Sequence, residues 1–144
     1  MITFESKDVS LPDLDFDVVG KWLDAVAKNY CYNIGRLNYL FCDDREILRV
    51  NREFLGHDYF TDIITFDYSG KTKVSGDIFI SLETVRSNSE EFKTSYISEL
   101  LRVIVHGLLH LCGIDDKGPG EREIMEHHEN EALKLWNNMQ ETAQ

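Results

Sequence analysis

The apolar segment between Thr94 and Cys112 constrains the fold more than any other part of the chain. Its large aliphatic residues recur with the period of an α-helix. Arg102, His106 and His110 interrupt the apolar run, which is also shorter than the ~20 residues that a membrane-spanning helix requires. We therefore expect a long, mostly apolar helix that carries two histidines on one face.

Patterns on both sides of this segment predict further helices and strands. Two runs rich in branched and aromatic residues, 61–68 and 76–81, predict an antiparallel hairpin. The other predicted strands are 2–6 and 36–42, and the predicted helices are 16–30, 45–54, 82–89, 94–112 and 120–139. This order predicts an α+β fold with helices packed on a small mixed sheet, in a single domain over residues 1–144.

Aspartates that precede two of the predicted helices are candidates for N-caps. Asp15 or Asp17 could cap the helix over 16–30, and Asp43 or Asp44 could cap the one over 45–54. In the second of these helices, four apolar residues are expected to point one way: Ile47, Leu48, Val50 and Phe54.

The charge of the chain limits the kinds of partner it can have. Its 26 acidic and 15 basic residues give a formal charge of -11, and a field of that sign repels a phosphate backbone at long range. This counts against a general nucleic-acid-binding protein. Because salt screens the field beyond about 8 to 10 Å, a local site that engages a phosphate is still compatible with it.

Two further features bear on where the protein works. The N-terminal sequence MITFESKDVSLPDLDFD lacks the basic region and the apolar run of a secretory signal. Cys31, Cys42 and Cys112 are odd in number and lack CxxC spacing, which argues against a disulfide framework. We expect a cytoplasmic protein without a membrane partner.

The string HxxxHxxGxxD predicts a metal site. His106 and His110 share one helix face, with their Cβ atoms about 5 to 6 Å apart. Gly113 can end the helix and turn the chain back, which places Asp116 to add a carboxylate oxygen. Two imidazoles and one carboxylate leave an open position for water, an arrangement typical of catalytic zinc. We therefore predict one zinc ion per chain and a hydrolytic reaction.

Alternatives to a catalytic zinc site explain less of this string. Two buried neutral histidines would not account for the glycine break and the acidic pair Asp115 and Asp116. A structural zinc site more usually has four protein ligands, and Cys112 should project to another side of the helix, into the core. Zinc peptidases carry HExxH with glutamate as general base, whereas this chain has Gly107 there.

These residues resemble the YbeY family of bacterial rRNA maturation factors. The family hallmark HGxLHLxGxDH matches HGLLHLCGIDD, residues 106–116. Similarity extends through LRVNREFLGHDYFTDIITFDY and GDIFIS, and covers about residues 36–131. The resemblance implies an α+β fold similar to the zinc peptidases and three motif ligands. It also implies a zinc-dependent single-strand endoribonuclease that acts in 16S rRNA 3′-end maturation and ribosome quality control, with rRNA and the ribosome or its proteins as partners.

The chain departs from the family pattern at three positions. Asp116 stands where the third ligand is usually histidine, which is acceptable for zinc but adds negative charge. Leu55 replaces an arginine that would make a natural phosphate clamp, and Phe60 replaces a proline. The loss of the arginine and the acidic charge favour a rival hypothesis, a non-catalytic ribosome-assembly factor in which zinc fixes the loop after Gly113.

Several residues around the motif are candidates for substrate binding or proton transfer. His57 and Lys117 are the candidate substrate-binding residues, and no catalytic residue is assigned. His127 and His128 are expected on the surface. Four glutamates of the last helix are expected to form a solvated face, from which one could accept a proton from the attacking water: Glu121, Glu123, Glu126 and Glu129.

Overall fold

A four-stranded mixed sheet forms the centre of the protein in the computed structural model, which describes residues 1–143. The strands are β1 (Ile2–Ser6), β2 (Asn33–Cys42), β3 (Ile63–Asp67) and β4 (Lys73–Ser81), and their spatial order is β1-β2-β4-β3. β1 and β4 run parallel to β2 on its two sides. β3 pairs with β4 in the predicted antiparallel hairpin.

Within the described residues 1–143, five α-helices pack with the sheet. They are α1 (Phe16–Asn29), α2 (Asp44–Val50), α3 (Leu82–Glu91), α4 (Tyr96–Leu111) and α5 (Glu121–Ala143). The α+β class and the packing of helices on a small mixed sheet are thus confirmed. Within residues 1–143, every helix is too short or too polar to cross a bilayer. Gln144, the last residue of the predicted domain, lies outside the described residues.

The helix that follows β2 differs from its prediction. Asp43 caps it, and regular α-helix extends only to Val50, after which Asn51–Leu55 form a π-helical turn that ends at Gly56 with φ of 66°. The change of helix type rotates the last residues out of the apolar face. Phe54, predicted to point inward with Ile47 and Val50, is therefore 64% exposed.

β2 also begins earlier in the chain than the sequence predicts. The strand begins at Asn33 and passes through Gly35, where its register against β4 shifts between Ile34 and Leu37. Gly35 therefore lies within a strand at a bulge, which an isolated glycine in a strand pattern often marks. The parallel pairing of β1 with β2 could not be deduced from the sequence.

α4 lies against the sheet and forms the middle of the core. Leu108 and Leu109 are fully buried on it, and burying one such side chain contributes about 1.5 to 3 kcal/mol. The hydroxyl of Tyr39 on β2 donates a hydrogen bond of 2.7 Å to the carbonyl of Ile104. The sheet thus fixes both the position and the rotation of the helix that carries the two predicted histidine ligands.

Candidate metal centre

α4 presents His106 and His110 to an open cleft of about 820 Å³. Ser95 caps the helix by accepting a hydrogen bond from the backbone N–H of Ser98. Both histidines are half-buried and four residues apart, so they lie on the same side of α4. The predicted common face is confirmed by their position along one cleft.

At Gly107, α4 packs closely against the sheet. A Cβ atom at this position would lie 2.9 Å from Cδ1 of Ile78 and 3.1 Å from Cδ1 of Ile63. Ile78 is fully buried and has little room to move. The position that holds glutamate in zinc peptidases therefore faces the sheet here, and a side chain at this position would require Ile78 to shift.

The chain after α4 returns to the cleft through a sharp turn. Gly113 has φ of 95°, and its N–H donates to the carbonyl of His110. Such a positive φ costs glycine little and other residues more. The turn brings Asp116 back toward the helix, where its Oδ2 lies 3.3 Å from Nε2 of His106.

Glu129 of α5 hydrogen-bonds to the ring nitrogen of His106 that does not face Asp116. The Nδ1–H of His106 donates to Oε2 of Glu129 at 2.7 Å, which leaves Nε2 directed toward Asp116. The other carboxylate oxygen accepts a hydrogen bond of 2.9 Å from Arg102. Glu129 is only 8% exposed, so its predicted place on a solvated face is wrong. A carboxylate that fixes the tautomer and orientation of an imidazole is a common partner of metal-ligating histidines.

The geometry fits zinc for one pair of ligands. Two ligands about 2.0 to 2.1 Å from a tetrahedral zinc ion are about 3.3 to 3.4 Å apart, and His106 Nε2 and Asp116 Oδ2 are separated by 3.3 Å. Within residues 1–143, no three His, Cys, Asp or Glu side chains are gathered into a ready-made set. His110 lines the same cleft but does not complete such a set. The three-ligand centre therefore remains a prediction, which the distance between His106 and Asp116 supports.

Negative charge collects around His106. Burial lowers the pKa of His106, but the hydrogen bond and charge of Glu129 and the charges of Asp116 and Asp62 outweigh burial, so the pKa lies above its ordinary value. Burial raises the pKa of Asp62 above its ordinary value, and the charge of His106 only partly opposes this. A cation in the cleft would relieve the repulsion among these carboxylates, and metal binding would displace the proton on His106.

The structure brings both candidate substrate residues to the cleft. His57 and Lys117 line it, as does Leu55, where the family usually has arginine. Two cations that sequence reasoning missed, Arg102 and Arg122, line it as well. Arg102 is bound to Glu129 and Asn130, so Lys117 and Arg122 are the better placed of these cations to meet a phosphate.

The two histidines of α5 lie apart from this cleft. His127 is exposed, as predicted. His128 is half-buried, because its Nδ1 hydrogen-bonds to the hydroxyl of Tyr30 on the side of α5 that packs toward α1. Its predicted surface location is therefore wrong.

Comparisons with known proteins agree over nearly the whole chain. The family model described as "Endoribonuclease YbeY" matches residues 1–137. Proteins named Endoribonuclease YbeY from Parabacteroides distasonis and Bacteroides fragilis are each 56% identical over 134 residues, which is 93% of this chain and 94% and 96% of theirs. One from Porphyromonas gingivalis is 49% identical over 141 residues, 98% of this chain and 91% of its own.

A solved structure has the same fold. The solution structure of a protein from Thermotoga maritima superposes with a TM-score of 0.65 at 25% sequence identity, covering 96% of this chain and 93% of the other. The family model, the relatives and the HGLLHLCGIDD motif agree with one another. The chain belongs to the YbeY family.

Proposed function

We propose that this protein is a zinc-dependent endoribonuclease that cuts single-stranded RNA. Its family is described as endoribonucleases, so the chain is an enzyme of the hydrolase class. The proposal adds one zinc ion per chain, held by His106, His110 and Asp116. It also adds a cytoplasmic role in 16S rRNA 3′-end maturation and ribosome quality control, with the ribosome or its proteins as partners.

The observation that carries the proposal is the pair formed by His106 and Asp116. Their ligand atoms are 3.3 Å apart, and Glu129 orients the imidazole from its other nitrogen. Zinc, when bound there, supplies Lewis-acid activation of water and of a phosphodiester oxygen. These side chains line an open cleft of about 820 Å³.

The remaining residues of the cleft serve binding and proton transfer. Lys117 and Arg122 supply positive charge for phosphates of the substrate, which offsets the loss of the family arginine at Leu55. Glu129 is occupied by His106 and Arg102 and is not free to accept a proton. Glu126 also lines the cleft and is exposed, which makes it the better candidate among the four glutamates.

One observation favours a non-catalytic ribosome-assembly role as the second candidate. Leu55 occupies the cleft with an apolar side chain, 40% exposed, where the family usually places a phosphate-binding arginine. In that role, zinc would only fix the loop after Gly113. A peptidase role is disfavoured because Gly107 stands where the peptidases have their glutamate base, and a side chain there would crowd Ile78.

An assay on purified protein separates the two candidates. Cleavage of an unstructured RNA would be compared between wild type, His110→Ala and the control His127→Ala, which removes an exposed histidine outside the cleft. The proposal expects cleavage by wild type and His127→Ala, with loss in His110→Ala. Cleavage that survives in His110→Ala points to a contaminating nuclease, and RNA binding without cleavage by wild type supports the assembly role.

A further inference from the structure

Exposed rings cluster at one edge of the cleft. Tyr59 is 54% exposed and Phe60 is 59% exposed. The ring of His57 stacks on Tyr59, with centroids 5.0 Å apart and planes inclined by 19°. His57 and Tyr59 line the cleft, and Phe60 follows directly in the chain. We call these three side chains the aromatic rim.

The loop that carries the aromatic rim is tied to a buried residue. Asn51 is 1% exposed. Its side-chain amide donates a hydrogen bond to the backbone carbonyl of Tyr59, and its backbone carbonyl accepts one from the backbone N–H of His57. Arg52 pairs with Asp58 in the same loop. These bonds fix the backbone that carries the rings of His57 and Tyr59, while the rings themselves lie in solvent, where large apolar side chains gain nothing from burial. Rings fixed in this way are arranged for a ligand in advance.

Unpaired nucleobases are the ligand that suits such rings. Bases in single strands are unstacked and can lie on aromatic side chains, whereas duplex bases are already stacked on one another. Stacking does not depend on attraction between opposite charges. It therefore suits a chain of formal charge -11 that has Leu55 in place of a phosphate-binding arginine.

We propose that the aromatic rim is a stacking platform for unpaired bases of the RNA, beside the predicted metal centre. Lys117 and Arg122 line the same cleft and contact the phosphates, while the rim selects single strands over duplexes. The inference rests on the proposed RNA substrate. It adds that the protein recognises the flat face of an unpaired base in that substrate.

Binding of a cleavage-resistant oligonucleotide tests the platform. Fluorescence anisotropy would measure the affinity of the full chain for a labelled 2′-O-methyl single strand and for an abasic strand with the same backbone. Tyr59→Ala and Phe60→Ala should each bind the base-bearing strand roughly 5- to 100-fold more weakly, since each removes one stacking surface. Tyr59→Phe keeps the ring and should bind as wild type does.

Two controls separate stacking from general damage. Tyr68→Ala removes a ring that is 64% exposed but does not line the cleft, and it should change nothing. Lys117→Ala should weaken both strands equally, because it acts on phosphates. Thermal unfolding would verify that each variant is folded.

Three results would overturn the inference. They are unchanged affinity in both rim variants, equally tight binding of the abasic and base-bearing strands, and no binding of either strand by wild type. The first two would leave the rim as a surface for a protein partner. Failure of the proposed function gives a different pattern: wild type cuts no RNA, although its affinity for the oligonucleotide still depends on the rim.

Discussion

The zinc affinity of the predicted metal centre should depend on individual side chains. Glu129 gives the most direct test of this dependence. Glu129→Gln keeps the size of the side chain but removes the charge that orients His106. We expect a roughly 10- to 100-fold loss of zinc affinity, which is typical when such a partner is removed. Competition with a fluorescent chelator measures it. Glu131→Gln is the control, because Glu131 is exposed and forms a surface ion pair with Lys134. An equal loss in both variants would contradict the role of Glu129.

Asp116 gives a second prediction at this scale. Asp116→Ala should lose most of the zinc, whereas Asp116→His should retain it, because imidazole and carboxylate both bind zinc at about 2.0 to 2.2 Å. Elemental analysis of protein purified without chelator gives the zinc content. Undiminished zinc in Asp116→Ala would mean that another residue is the third ligand.

The sequence predicts the three ligand candidates but not their surroundings. His106, His110 and Asp116 follow from spacing along one helix and one glycine turn, which are local features. Glu129 could not be distinguished from Glu121, Glu123 or Glu126, because all four lie in a polar helix and only packing decides which one is buried. The same holds for His128, which packs toward Tyr30 rather than facing solvent.

At the scale of elements, helix and strand types were predictable while contacts between them were not. Apolar periodicity predicts α1, which Asp15 caps, and also predicts α4, while two runs of branched and aromatic residues predict the hairpin. The sequence does not predict the π-helical turn at Asn51–Leu55, because the apolar spacing continues through it. The backbone nevertheless changes there from an α-helix to a π-helix. The pairing of β1 with β2 depends on residues about 35 positions apart, which no local pattern reports.

The contact between α4 and the sheet gives a prediction for a pair of glycines. Gly107→Glu should destabilise the fold by about 3 kcal/mol or more, because its side chain would be forced against Ile78 and would bring a charge into the core. Gly20→Glu in α1 has nothing within 4 Å of its Cβ position and should stabilise by a few tenths to about 1 kcal/mol. Urea unfolding measures both. Similar losses in the two variants would show that Gly107 is not a packing constraint.

At the scale of the whole molecule, an ion-pair network between Lys7, the residue after β1, and Glu46 and Arg49 of α2 contributes to stability against acid. Glu46 is 7% exposed, and hydrogen bonds from Arg49 and Lys7 lower its pKa from 4.5 to about 2, although burial opposes them. A carboxyl group whose pKa is lowered in the folded protein contributes its full stabilisation at pH values above its ordinary pKa. We expect this contribution to disappear as pH falls from about 4.5 toward 2.

A pair of variants isolates the contribution of Glu46. Glu46→Gln should lower the free energy of unfolding at pH 7 by about 1 to 2 kcal/mol and should match wild type near the acid limit. Glu53→Gln is the control, because Glu53 pairs with the same arginine but its side chain is 55% exposed, and such surface pairs contribute about 0 to 1 kcal/mol. A constant difference between Glu46→Gln and wild type at all pH values would contradict the assignment.

The position of Glu129 in α5 also sets an order of events during synthesis. The ribosome releases His106, His110 and Asp116 before Glu129. α5 docks through Trp22, whose indole N–H donates to the carbonyl of Ala132, and through the ring contact between Trp22 and Trp136. Until those residues emerge, His106 lacks its carboxylate partner. The orientation of His106 is therefore completed only after the C-terminal part of the chain has been synthesised and α5 has docked.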